Sequence, residues 1–267
     1  MTRVAHISDL HFGRDDPSVV EGLLTDLRRQ RPALVAVSGD LTQRARGREF
    51  AAAAAFLADL PCPWLAVPGN HDIPLHNLGR RLWSPFGRYR RFISKDLEPR
   101  HLGEGIAVLG LNTAWHWVWK GGRIRPRQLA SLRAWSEETH GRLRAIVAHH
   151  PFSRPEAGGH SLVRGWEAAM LAMEEARVEL VLTGHHHLAG HSESRAFAIE
   201  GPRRVVVVRA GTATSVRGRG EANSYNLVEA TQDAIRVERR DWDGGQFVPA
   251  ATQEYPRRKE PQMEPQP

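Results

Sequence analysis

Six short polar clusters in this 267-residue sequence carry side chains able to bind metal ions or move protons. They are Asp9-Leu10-His11, Gly39-Asp40, Gly69-Asn70-His71-Asp72, Asn112-Thr113, His149-His150-Pro151 and Gly184-His185-His186-His187. Together they offer carboxylates, imidazoles and amide oxygen, with no thiolate. That donor set suits harder or borderline divalent ions such as Mn, Fe, Co or Zn. An Asp-X-His or His-X-His pair on an extended segment points both side chains to one face, because the side-chain period there is two. Glycine before Asp40, Asn70 and His185 is expected to let the backbone turn sharply off a strand.

Each cluster directly follows a short apolar run: 4–8, 34–38, 64–67, 106–111, 145–148 and 178–182. Such runs read as buried strands. Helical patterns lie between them. The first covers about 17–31, with Asp16 as N-cap, Pro17 in the first turn and Arg31-Pro32 at its end. Others cover 47–60, the stretch opened by Pro126, and about 164–177. Strand and helix alternate, which predicts an α/β domain. Ligands of open α/β sheets bind beyond the carboxyl ends of the strands, so six clusters in register predict one site. After residue 190 the runs 205–208, 223–229 and 234–239 have no helices between them. They read as an antiparallel section closing the same domain, expected over 1–245. Prolines and charges toward the end predict a flexible tail over 246–267.

Apolar residues make up 41% and charged residues 25%, which is ordinary for a globular chain and excludes a disordered one. No apolar run reaches membrane-spanning length. The N-terminus lacks the charged and apolar regions of a signal peptide, so a cytoplasmic location is expected. The single cysteine, Cys62, excludes an internal disulfide and a thiolate cluster. The formal net charge is +7, and all but Lys95, Lys120 and Lys259 of the 37 basic residues are arginine. A basic surface suits nucleic acid, anionic lipid or phosphorylated substrates. Most of the arginine reads as a composition bias; the dense segment 78–93 is the exception.

The ordered blocks resemble the calcineurin-like metallophosphoesterases, whose pattern is Asp-X-His, Gly-Asp, Gly-Asn-His-(Asp/Glu), a later His before a proline loop, and Gly-His-X-His. The match runs from residue 9 to 187. The resemblance implies a β-sandwich flanked by helices, in α/β/β/α layers. It implies two divalent metal ions (Mn, Fe or Zn), one held by Asp9, His11, Asp40 and His187. Asp40, Asn70, His149 and His185 would hold the other, with Asp40 bridging. His71 would be the non-ligand histidine facing the phosphate, and in-line attack by a metal-bridging hydroxide the mechanism. Among relatives the chain looks most like bacterial cyclic-nucleotide or glycerophosphodiester phosphodiesterases acting on small phosphodiesters. An alternative is the lipid-directed pyrophosphatase of the UDP-diacylglucosamine type, whose relatives usually carry Arg where His71 stands. A nuclease ranks lower, and nucleic acid is not expected as a partner. A non-catalytic scaffold is disfavoured because every ligand position is filled.

Some residues keep two readings. His150 and His186 alternate with ligand positions and are expected to face away or stand behind them. His6 reads as a hydrogen-bonded core residue. Segment 78–93 interleaves Arg80, Arg81, Arg88, Arg90 and Arg91 with Trp83, Phe86, Tyr89 and Phe92. It reads either as a cap touching anionic substrate or lipid headgroups, with Arg88, Arg90 and Arg91 binding substrate, or as an amphipathic surface helix. Trp115, Trp117 and Trp119 alternate; if extended they share one face, with Trp115 as a substrate wall or as part of a core ridge.

Overall fold

The computed structural model describes residues 2–119, 121–152, 162–185, 195–199, 205–216 and 222–257. Its strands are β1 (Thr2–Ile7), β2 (Leu34–Val37), β3 (Trp64–Ala66), β4 (Arg100–Leu102), β5 (Ile106–Leu111) and β6 (Leu143–Ala148). They continue with β7 (Leu180–Thr183), β8 (Arg195–Ile199), β9 (Val205–Arg209), β10 (Ser224–Ala230), β11 (Ala234–Trp242) and β12 (Phe247–Pro256). The helices are α1 (Pro17–Gln30), α2 (Gly47–Ala58), α3 (Leu78–Trp83), α4 (Gly87–Phe92), α5 (Pro126–Glu137) and α6 (Trp166–Glu175).

Two six-stranded sheets stack, in the orders β12-β11-β10-β1-β2-β3 and β4-β5-β6-β7-β9-β8. Three apolar layers follow from strand alternation. In β2, Leu34 and Ala36 enter the core between the sheets, where they join Val4, Val108, Val147, Leu182 and Val206. Val35 and Val37 face the other way, into a core with Leu23 and Leu27 of α1 and Phe50 and Leu57 of α2. The outer face of the second sheet packs Ile146 and Val181 against Leu132, Trp135 and Met173 of α5 and α6. Both faces of the central strands are therefore buried, which is why they read as unbroken apolar runs. The α/β/β/α arrangement is the expected one.

The six cluster-bearing strands divide equally between the sheets. β1, β2 and β3 run parallel in the first, and β5, β6 and β7 run parallel in the second. Stacking brings their carboxyl ends to a common edge of the sandwich. α1 begins as its sequence indicates: the Asp16 side chain accepts from Ser18 N, and Pro17 stands in the first turn.

Three expectations are corrected. The presumed tail over 246–267 holds a strand, because β12 pairs antiparallel with β11 along its length. Its side chains are mostly exposed and it contains Pro249, which sits where the register shifts between Arg239 and Arg240. Proline is tolerated at such an edge, but it hides the strand pattern. Residues 258–267 lie outside the described residues. Segment 78–93 is not one helix: Pro85 removes a backbone donor, and Ser84 leaves helical geometry at φ −149°. Finally, residues 115–119 are not extended. Val118 N donates to Trp115 O across a turn, so Trp115 is half-buried while Trp117 and Trp119 are exposed.

Candidate metal centre

The loops after β1 and β2 run side by side. Asp9 N donates to Gly39 O, His11 N to Asp40 O, and Phe12 N to Leu41 O. The ligand-type residues leave their strands in left-handed backbone rather than extended backbone: φ is 53° at Asp9, 48° at His11, 53° at Asp40 and 74° at His185. Each such non-glycine residue costs on the order of 1–3 kcal/mol and persists only where surrounding contacts hold it. The two-residue side-chain period expected for Asp9-Leu10-His11 therefore does not apply; the turn itself brings both side chains to the site. The glycines also act differently from expectation. Gly39 is left-handed at φ 96°, but a Cβ on Gly69 would overlap Asp40 Oδ1, and one on Gly184 would overlap Ser8 Oγ. Those two serve close approach between loops.

Asp9, His11 and Asp40 form one buried group, with His11 Nε2 3.6 Å from Asp9 Oδ1 and 3.8 Å from Asp40 Oδ2. A second group forms around His149. Its Nδ1–H donates to Ser38 O at 2.8 Å, which turns Nε2 inward. That Nε2 lies 3.1 Å from Asn70 Oδ1, 3.0 Å from His185 Nδ1 and 3.4 Å from Asp40 Oδ2. Asp40 Oδ2 thus stands between the two groups, buried and without a hydrogen-bond donor among the described residues. A buried carboxylate oxygen shared by two sets of imidazole and oxygen donors is a fit for divalent cations, and the lack of sulfur suits harder or borderline ones. His187 and His186 lie outside the described residues.

Electrostatics follow from this crowding. Burial alone would raise the Asp40 carboxyl, but the imidazoles of His149, His71 and His11 outweigh it and hold it well below the usual carboxylate range. Burial would lower His149, yet Asp40 lifts it to about 9 in the metal-free protein. His6, an expected core residue, is buried against Ser38 Oγ at 2.9 Å, and burial lowers it to about 3 against the opposing pull of Asp9.

His71 is fixed at both its backbone and its ring. Its N–H donates to Asp40 Oδ1 at 2.8 Å, and its Nδ1–H donates to Gln43 O at 2.9 Å. Nε2 is left as the nitrogen free to exchange a proton, and the ring meets that of His11 edge-on, with centroids 4.9 Å apart. Asp72 does not orient this ring. It accepts from Leu41 N, Thr42 N, Thr42 Oγ1 and Gly69 N, tying the β2 loop to the β3 loop. Burial and the Asp40 charge push its carboxyl up to about 7 against the bonds from Gly69 N, Thr42 Oγ1 and Thr42 N.

Of the two readings of His150, facing away or standing behind the ligand positions, the second fits: it is buried at the site, its ring 4.5 Å from that of His185 and its Nδ1 2.8 Å from Thr113 Oγ1. Gly122 makes this room, since a Cβ there would lie 2.6 Å from the His150 ring. Thr113 therefore acts through His150, and Asn112 Oδ1 caps Ala114 N. Spacing could not reveal His150, because two adjacent histidines differ only in local backbone. The residues read as substrate contacts are placed as follows. Arg88 Nη1 donates to Ala45 O at 2.6 Å. Arg90 and Arg91 are exposed. Trp115 lies under the guanidiniums of Arg123 and Arg164, 5.2 and 5.7 Å from its centroid.

The two sheets, their flanking helices and the histidine–carboxylate edge define a metallophosphoesterase architecture. The family model for calcineurin-like phosphoesterase matches residues 2–189, and the chain belongs to that family. It is a phosphoric ester hydrolase. A probable cyclic nucleotide phosphodiesterase from Pseudoalteromonas sp. is 26% identical over 199 residues, 69% of this chain and 71% of that protein. The glycerophosphodiester phosphodiesterase GpdQ of Enterobacter lignolyticus is 36% identical over 169 residues, 55% of this chain and 56% of its own length. Purple acid phosphatase from yellow lupin superposes with a TM-score of 0.72 at 13% identity, over 96% of this chain and 54% of that one. The chain thus spans about half of GpdQ and of the plant enzyme. Among the described residues no helix is long and apolar enough to cross a membrane.

Proposed function

We propose that this protein hydrolyses small phosphodiesters at a dinuclear metal centre. Asp9, His11, Asp40 and His187 would hold one ion; Asp40, Asn70, His149 and His185 would hold the other. The observation that carries this reading is Asp40 Oδ2, buried between the two groups at 3.4 Å from His149 and 3.8 Å from His11. Two divalent ions at such a site supply Lewis acidity toward phosphoryl oxygens and a water made nucleophilic near neutral pH. The chain supplies positioning and proton transfer. Ser38 O and Asp40 set the direction of His149, and Ser8 Oγ donates to Asp9 Oδ2 at 2.6 Å. His71, with Nδ1–H committed to Gln43 O, presents Nε2 as the group that protonates the departing oxygen.

The named relatives act, by their names, on a cyclic nucleotide and on glycerophosphodiesters, and both are phosphodiesters. A kinetic comparison of cyclic nucleotides, glycerophosphodiesters, bis(p-nitrophenyl) phosphate and UDP-diacylglucosamine at matched Mn or Zn loading tests the reading. Phosphodiesters are expected to turn over. Hydrolysis of the pyrophosphate alone would favour the lipid-directed alternative, and no turnover with any divalent ion would refute both. We assign a peripheral contact with anionic lipid to α3 and the 115–119 loop. Five of the eight exposed large apolar residues among the described ones, Leu78, Leu82, Trp83, Trp117 and Trp119, lie there.

A further inference from the structure

A cavity of about 250 Å³ has walls that carry Arg14, Arg44, Arg46, Arg48, Gln43 and Glu49. Its walls grow directly out of the metal-centre loops. Arg14 follows His11 by three residues, and Gln43 follows Asp40 by three, so by chain length each pair of Cα atoms is at most about 11 Å apart. Gln43 N donates to Phe12 O, which stitches the two walls together. The same Gln43 whose carbonyl fixes His71 is part of this lining.

Two independent features of the cavity call for a ligand. The first is charge. Four arginines and one glutamate line it, and Glu49 is already engaged by Arg44 N at 2.8 Å, Arg46 N at 3.1 Å and Arg46 Nε at 3.9 Å. Among the described residues Arg14, Arg44 and Arg48 have no ion pair or side-chain hydrogen bond. The cavity also sits at the N-terminus of the twelve-residue α2, the positive end of that helix. The second feature is Gln43. It is only 6% exposed, and its Oε1 has no hydrogen-bond partner. A buried amide left unpaired costs about 1–3 kcal/mol, so native chains rarely keep one without a use.

We propose that this cavity is a subsite for a second anionic group on the substrate, with Arg14 and Arg44 holding a phosphate and the Gln43 amide bonding to the unit that carries it. The inference rests on the phosphodiesterase reading and narrows its substrate class. A cyclic mononucleotide has a single negative charge, which the metal centre takes, and leaves the arginines without a counterpart. A linear phosphodiester bearing a terminal phosphate, one nucleoside away from the scissile bond, uses both sites. Guanidinium–phosphate contacts of this kind are charge-assisted and bidentate-capable.

The test compares the dinucleotide ApA with its terminally 5′-phosphorylated form on the metal-loaded enzyme. The phosphorylated form is expected to have a kcat/KM at least about tenfold higher, mainly through KM. In Arg14→Gln/Arg44→Gln and in Gln43→Ala the ratio of the two values, which cancels any general loss of activity, should fall toward one. A wild-type ratio near one overturns the proposal, as does a ratio that survives the substitutions. If the wild type hydrolyses no phosphodiester, the phosphodiesterase reading fails, and calorimetry of adenosine 5′-monophosphate on the metal-free protein decides the subsite separately. Binding weakened about tenfold in Arg14→Gln/Arg44→Gln supports it; equal or absent binding in both proteins overturns it.

Discussion

His71 is held through its backbone N–H by Asp40 Oδ1 and through Nδ1–H by Gln43 O, and neither bond involves Nε2, the nitrogen that would exchange a proton. His71→Ala is expected to retain its metals and lose about 10²–10⁴-fold in rate on a diester with a poor leaving group. The loss should shrink with p-nitrophenolate, which leaves without a proton; wild-type turnover on the poor leaving group would remove His71 from the chemistry. His6 governs stability instead. The unfolded chain takes up this proton as pH falls through about 6.5, whereas the buried imidazole resists until about 3. The unfolded state then binds more protons in that window, so stability falls as pH drops through it, by up to about 1.4 kcal/mol per unit. Urea unfolding of the metal-free protein at about pH 7 and pH 5 should show a smaller loss in His6→Gln than in wild type. An identical loss in both proteins would contradict the assignment.

Elements differ in how openly the sequence displays them. The strands that carry the site are buried on both faces, and their apolar runs stand out, as do Asp16 and Pro17 at the start of α1. β12 is an exposed edge strand rich in polar residues and proline, so nothing in its pattern separates it from a tail. The 78–93 pattern looks continuous because Leu78 and Leu82 share a helical period with buried Phe86 and Tyr89, but Pro85 breaks it and leaves the leucines outside. Most ligand-type residues were legible because each follows its strand directly. The inward turn of His150, the left-handed φ of Asp9 and Asp40, and the Gln43 cavity depend on tertiary packing that spacing does not encode. α3 and the 115–119 loop form a joint surface: Arg81 donates to Val118 O at 2.7 Å and stacks 4.7 Å from the Trp119 centroid. Residues 73–95 carry six basic residues and no acid, and residues 105–136 carry five and none. Exposed Trp and Leu within such basic segments suit an anionic lipid interface. The protein is expected to sediment with phosphatidylglycerol vesicles more than with phosphatidylcholine vesicles. Leu82→Ser/Trp83→Ser/Trp117→Ser should abolish the difference; equal sedimentation with both lipids in the wild type would refute the contact.

At the scale of the molecule, each sheet contributes part of one site. Asp9, Asp40, Asn70 and His71 come from loops of the first sheet, and His149 and His185 from the second. Asp72 locks the first group from within, while Gly184 brings the second group against Ser8 and Asp9. Asp40 is the residue on which both halves converge. Metal content of the purified wild type, Asp9→Ala and Asp40→Ala after loading with Mn or Zn tests this most directly. The wild type should approach about two equivalents per chain, Asp9→Ala should keep about one, and Asp40→Ala should lose most of both. An Asp40→Ala protein that stays folded and retains two equivalents would contradict the shared centre.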